Sequence, residues 1–276
     1  MSLYSDLGQF MNISLAKRIA VNFFPLVFLA GLSPASAHPV KVEYKLSIAS
    51  IPAGKAKLFA TFSKDHYVME ASLRLTGLAG VFMDGKGNAS ATGQITSNGV
   101  EPAQFLATGK IEKENQIIQV AFTNRTAQTL QLAPPVKNLK KRVPVTEEHR
   151  KMVLDPLSAF FAPIQAGSDV FDPAHCRQTI PVFDGSSRHN LSLAYQGVQN
   201  ANLSSYKGRV LVCAIRYKPV SGHRPDRKSI KYMESNKDIW VWYAPMKGTD
   251  MLLPVRLHVA TPYGAAEATA SVFTYR

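Results

Sequence analysis

The chain has few of the features that would announce a chemistry. Only two of its 276 residues are cysteine, and acidic side chains number 19 against 32 basic ones. No Cys-x-x-Cys pair is present, which removes the usual redox motif. No Gly-x-Ser-x-Gly elbow marks a hydrolase nucleophile. The seven histidines, His38, His66, His149, His175, His189, His223 and His258, show no His-x-His or His-Glu-x-x-His spacing, so nothing linear suggests a metal site. His38 would gain a chelating amine after processing, but Pro39 removes the backbone nitrogen such a site uses. There is no internal repeat or low-complexity linker, and no alternation of helix and strand patterns that would build a parallel α/β sheet. Only one apolar run is long, and it falls near the N-terminus.

That run extends from Val21 to Leu32 behind Lys17 and Arg18, and ends at Ala35-Ser36-Ala37. Charged start, apolar middle and small-residue exit form the pattern of a cleaved export signal, with Met11 a plausible true start. At about a dozen residues the run is shorter than the roughly 20 a bilayer-spanning helix needs. Cleavage after Ala37 leaves His38 at the N-terminus and no cysteine for lipid attachment. The expected organisation is therefore a signal over 1–37 and one periplasmic domain over 38–276, with no transmembrane segment after cleavage. The formal charge of +13 loses one unit with Asp6, Lys17 and Arg18. In an exported protein such an excess suits anionic neighbours such as lipid headgroups or an acidic protein face, while the expected compartment argues against nucleic acid. It also serves solubility alone. In an oxidising compartment an even count favours a Cys176–Cys213 disulfide over two free thiols or half of a metal site.

Val40, Val42, Tyr44, Leu46 and Ile48 alternate with polar residues, the period of a strand with one dry face. Further strand patterns follow at 58–62, 67–75, 89–96, 104–109, 116–122 and 129–132, with a turn read at Pro52-Ala53-Gly54 and a loop or strongly bent crossing at glycines 77, 80, 85 and 87. Short connections predict an antiparallel meander. Residues 133–150 combine three prolines with Lys137, Lys140, Lys141 and Arg142, the composition of an exposed basic loop. Asp155-Pro156-Leu157-Ser158-Ala159-Phe160-Phe161 predicts a short helix, with an aspartate cap, proline at the first position, and an apolar body to dock on the sheet. Strands resume at 178–183, 190–195, 210–217, 239–243, 255–260 and 268–275. Between them 221–231 forms a second basic loop containing Arg224, Arg227 and Lys228. A dozen or more strands with one short helix imply an all-β, mainly antiparallel fold. Such a long meander must protect its edges, so a strongly curved sheet or open, spiral-like barrel is expected.

Asp184, Ser186, Ser187 and His189 superficially resemble a catalytic triad, yet Asp184-Gly185 reads better as hairpin chemistry. Trp240, Trp242 and Tyr243 belong to a strand apolar on both faces, either a core strand or a wall of a ligand cavity.

The residues Asp155-Pro156-Leu157-Ser158-Ala159, Phe183-Asp184-Gly185 followed by Leu191, and Cys213 in a strand ending at Pro219 before Gly222 resemble the proteobacterial envelope family known as domain of unknown function 3108. That resemblance implies a periplasmic β-rich domain and transfers no catalytic residues. The expected activity is non-enzymatic and free of cofactors: binding a lipid-like or other envelope component, or engaging an envelope protein.

Overall fold

The computed structural model describes residues 37–76, 85–97, 99–111, 114–164, 167–246 and 248–275. Residues 1–36 of the segment read as an export signal, and Gly77, Gly80 and Asn98, lie outside the described residues. Seven strands form a first meander: β1 (His38–Ile48), β2 (Ile51–Phe62), β3 (His66–Leu75), β4 (Gly85–Thr96), β5 (Gly99–Ile111), β6 (Glu114–Thr123) and β7 (Thr126–Ala133). An excursion follows, containing the two-residue strand β8 (Ala162–Pro163). A second meander then runs through β9 (Thr179–Phe183), β10 (Arg188–Asn202), β11 (Lys207–Ser221), β12 (Ile239–Met246), β13 (Met251–Thr261) and β14 (Gly264–Tyr275). The last strand pairs antiparallel with the first, from Val40 opposite Tyr275 to Ile48 opposite Ala266. Both meanders therefore belong to one curled antiparallel sheet, a nearly closed barrel whose single seam separates β7 from β9.

Alternation sets the inner wall. Val40, Val42 and Tyr44 of β1, Leu58, Ala60 and Phe62 of β2, and Tyr67 and Met69 of β3 are buried, whereas their neighbours in sequence are mostly more exposed. The first turn differs from the Pro52-Ala53-Gly54 expectation. Ala49 and Ser50 turn the chain with φ of 48° and 66°, the left-handed pair suited to a two-residue hairpin. Pro52 to Gly54 instead form an irregularity within β2, where the β1–β2 register shifts. Gly85 and Gly87 likewise belong to β4 rather than to a loop.

The one α-helix among the described residues is α1 (Lys228–Ser235), inside the segment read as the second basic loop. Its N-cap is Arg227, which makes no side-chain capping bond, so the sequence carried no start signal. The helix expected at 155–161 is a single 3₁₀ turn, Ser158–Phe160. The residue that caps this turn is Leu157 rather than the expected Asp155, whose carboxylate still accepts from the amides of Leu157 and Ser158 at 2.9 Å each. The chain turns extended at Phe161 because Ala162 and Pro163 pair with Leu252 and Met251 at the start of β13.

This excursion fills the barrel. Phe161 packs edge-on against Phe62 and Tyr67, with ring centroids 5.1 and 5.0 Å away, and Phe160 meets Tyr44 at 6.0 Å. Phe161 is only 2% exposed, and burying such a side chain contributes about 1.5–3 kcal/mol. Where the plug is polar it is self-satisfied: the Ser158 hydroxyl bonds the Asp155 carboxylate, and the Tyr67 hydroxyl lies 2.6 Å from Ser158 Oγ. Gly93 makes room for that tyrosine, since a Cβ there would lie 2.5 Å from its hydroxyl. Burial pushes the Asp155 carboxyl up to about 6 against the bonds it accepts, and raises the Tyr67 phenol. The far end of the excursion is stapled by the Cys176–Cys213 disulfide, Cα–Cα 5.5 Å, to β11.

A basic groove at the barrel seam

The seam is closed by side chains and turns rather than by a sheet ladder between β7 and β9. Leu154 forms a parallel bridge with Val182, its amide donating to Pro181 O at 2.8 Å and its carbonyl accepting from Phe183 N at 2.8 Å. On the other side, Val153 N donates to Arg125 O at 3.0 Å, so two consecutive residues span the gap. The turn after β9 completes the closure. Gly185, φ 95°, approaches β6 so closely that a Cβ would lie 2.6 Å from Ile118 Cγ2. Its carbonyl accepts from Thr129 Oγ1 at 2.9 Å.

Asp184 holds that turn. Its carboxylate accepts from the amides of Ser186 and Ser187 at 2.8 and 2.7 Å and from both serine hydroxyls at 2.9 and 2.6 Å. His189 lies instead against Tyr217, ring centroids 5.2 Å apart, and burial lowers its pKa. The carboxylate is occupied by the turn and the imidazole by a ring, an arrangement that builds a hairpin and assembles no acid–base relay.

The two basic loops, far apart in sequence, are zipped together. Val143 N donates to His223 O at 3.0 Å and Gly222 N to Val143 O at 2.8 Å. Arg142 locks the junction, with Nε on Lys137 O at 3.0 Å and Nη1 on Gly222 O at 2.6 Å. Gly222, φ 78°, is required there because a Cβ would sit 2.2 Å from Ser186 O. Zipped loops, β7 and the Asp184 turn enclose a groove of about 570 Å³. Its apolar lining includes Leu132, Val136, Val143, Val145 and Phe183, and its cations are Lys140, Arg142 and Arg150. Arg150 lies over the Phe183 ring, 5.4 Å from its centroid, and its buried Nε has no hydrogen-bond partner among the described residues.

The structure thus brings together Lys140 and Arg142, which were singled out from sequence, with Arg150, which was not. Lys137 is tied to Glu114 at 3.3 Å and Arg224 to Asp226 at 2.8 Å. Lys141 lies in the turn beside Lys140, while Arg227 and Lys228 begin α1. Trp240, Trp242 and Tyr243 do not line this groove. Tyr243 is buried in the core, whereas both tryptophans are half-buried on the opposite face of β12, opposite His258 and Arg256 of β13. Their indoles donate to Asp238 and Gln199, at 2.5 and 3.2 Å. Parity placed the two tryptophans together correctly but could not tell which face was inward. Sequence placed Arg150 at the end of a basic loop and Phe183 at the end of a strand but gave no sign that they meet, because their meeting depends on closure of the seam.

A plugged antiparallel barrel closed along one seam, with a basic groove beside that seam, defines the class of protein. The chain belongs to the family described as "Protein of unknown function (DUF3108)", whose profile matches residues 43–271. No curated protein matches it. Among solved structures it is similar to a β-barrel-like protein of domain of unknown function DUF1849 from Brucella abortus, with 10% identity and a TM-score of 0.49, covering 86% of this chain and 98% of that one. It is also similar to a predicted lipoprotein from Parabacteroides distasonis, with 12% identity and a TM-score of 0.33, covering 87% and 97% of the two chains.

Proposed function

We propose that the protein is a non-enzymatic binding protein of the bacterial periplasm whose seam groove holds an anionic amphiphile, in the service of envelope maintenance. The observation that carries this reading is the groove itself: an apolar lining under Lys140, Arg142 and Arg150, in a volume of about 570 Å³, within the range of small-ligand sites. An acyl chain finds hydrocarbon against Leu132, Val136 and Val145, while an acidic head finds the cationic Lys140 and Arg150 of the same lining. A charged acceptor on such a donor is worth about twice a neutral one. The disulfide supports an oxidising compartment, in keeping with the N-terminal export pattern.

The test is native mass spectrometry of the gently purified protein, followed by lipid extraction and titration with a soluble anionic fluorescent fatty acid. The expected result is one amphiphile per chain and an affinity at least about tenfold weaker in Arg150→Met, which keeps the stem and removes the charge. A ligand-free mass together with no fatty-acid binding would overturn the reading. A second reading, engagement of a protein partner, is favoured by β7, an end strand of the sheet that presents the half-exposed Leu130. Cross-linking to one reproducible partner, with an empty groove, would select it.

A further inference from the structure

We infer that the zipped basic loops form a docking face for the anionic surface of a lipid bilayer, with Leu139 as the residue that enters the interface. The inference rests on the amphiphile reading for what the docked protein would exchange, but the docking geometry stands by itself. Residues 137–151 carry six basic and two acidic side chains, and residues 224–231 four and one. The acids that pair within these segments are Glu148, with Lys151, and Asp226, with Arg224. Lys140 and Lys141 have no carboxylate in salt-bridge contact among the described residues. Cross-loop bonds place Lys141 close enough to lower the Asp226 pKa behind Arg224, so the loops present one surface.

The tip is rigid. Asn138 at φ 59° starts a 3₁₀ turn in which Lys141 N donates to Asn138 O and Arg142 N to Leu139 O, at 3.0 Å each. Arg142 spends its guanidinium on backbone carbonyls, fixing the loop, while the neighbouring lysines remain available. Leu139, 70% exposed, stands at the head of this turn and also lines the groove mouth. An apolar side chain flanked by lysines suits the boundary between headgroups and acyl chains, where it removes hydrocarbon from water as the ammonium groups meet phosphate. Helix α1 adds a second, independent sign. Arg227 and Lys228 occupy its N-terminal end and no acid lies in its first turn. Cations there oppose the helix dipole, an unfavourable local term that Asp226, just before the N-cap, offsets only in part. An anionic surface over that end reverses its sign.

Charge complementarity therefore selects a bilayer rich in anionic lipid, and the position of Leu139 opens the groove toward it. The test is flotation of the purified full chain with vesicles of phosphatidylcholine, with and without phosphatidylglycerol. Binding is expected to the anionic vesicles only, and to fall at high salt as screening shortens the field. Lys140→Gln with Lys141→Gln should lower the partition coefficient about fivefold per lysine removed, and Leu139→Ser should lower it further. The same charge removed by Lys55→Gln with Lys57→Gln, on β2, should leave it nearly unchanged. Equal binding to neutral vesicles, no flotation at all, or equal effects of the two lysine pairs would each overturn the docking face. Fatty-acid titration without vesicles separates the two ideas: a groove that binds in a protein that never floats retires docking alone, and flotation with an empty groove retires the amphiphile reading alone.

Discussion

Asp155 lies at the centre of the plug, and its ionisation should make the whole barrel less stable as pH rises through the acid range. The carboxyl is fully buried and its pKa is held near 6, against 3.8 for an ordinary aspartate. Desolvation is the leading cause, opposed by hydrogen bonds from Ser158 and the amide of Leu157. Below about pH 4 the group is protonated in both folded and unfolded chains and has no effect on the balance. Between 3.8 and 6 the unfolded chain has lost the proton while the folded chain keeps it, so stability falls as pH rises. The full span corresponds to about 3 kcal/mol, most of it lost between pH 4 and 7. Asp155→Asn removes this titration. It also imposes a pH-independent cost: the amide must donate to Ser158, the serine then donates to Tyr67, and the tyrosine hydrogen loses its acceptor. The informative quantity is therefore the slope of the difference. Urea unfolding of both proteins from pH 4 to 7 should show the variant gaining about 2–3 kcal/mol on the wild type across that range. A difference that stays flat with pH would refute a buried carboxyl whose desolvation outweighs the bonds it accepts.

Gly222→Ala places a Cβ 2.2 Å from Ser186 O at φ 78°, and should cost about 2 kcal/mol or more, read by thermal unfolding. Gly185→Ala, whose nearest neighbour is the Ile118 methyl rather than backbone, should cost less by the same measurement. Replacing Cys176 and Cys213 together by alanine frees a loop with a separation of 37 residues, and should lower unfolding free energy by about 4 kcal/mol in the chain-entropy account. Phe161→Ala, which removes both edge-on ring contacts inside the barrel, should cost about 3–5 kcal/mol in denaturant unfolding.

The first meander was legible because each strand has one wet and one dry face, as in β1 and β3, and because its connections are too short for anything but antiparallel neighbours. The β1–β14 pairing was not, since strands at opposite ends of the chain meet only when the sheet curls. Asp155 could be read as an acceptor for the amides of the turn that follows it, which it is. Its setting inside the barrel could not, because an apolar segment before a proline reads alike whether it docks outside a sheet or fills one. Likewise Lys140 and Arg142 announced a basic loop, but Arg150 and Phe183 become part of the same site only through the Leu154 bridge and the Asp184 turn. The tryptophans of β12 show the complementary limit: alternation assigns residues to faces, and only closure says which face is inside.

Closure also decides where a ligand can go. The lumen is occupied by Phe62, Tyr67 and Phe161, each at most 2% exposed, so nothing of acyl size enters without expelling the plug. At the seam the balance differs, because β7 and β9 are held apart by Val153 and Leu154 and the space beside them is roofed only by the zipped loops. Phe183 links the two regions: it lines the groove, and its amide bonds Leu154, the residue immediately before Asp155. Groove and plug thus share a backbone ladder, and a ligand that binds the folded seam must stabilise the plug by mass action. A barrel sealed by side chains and turns in this way keeps a rigid core while leaving one edge of the sheet beside a site of its own.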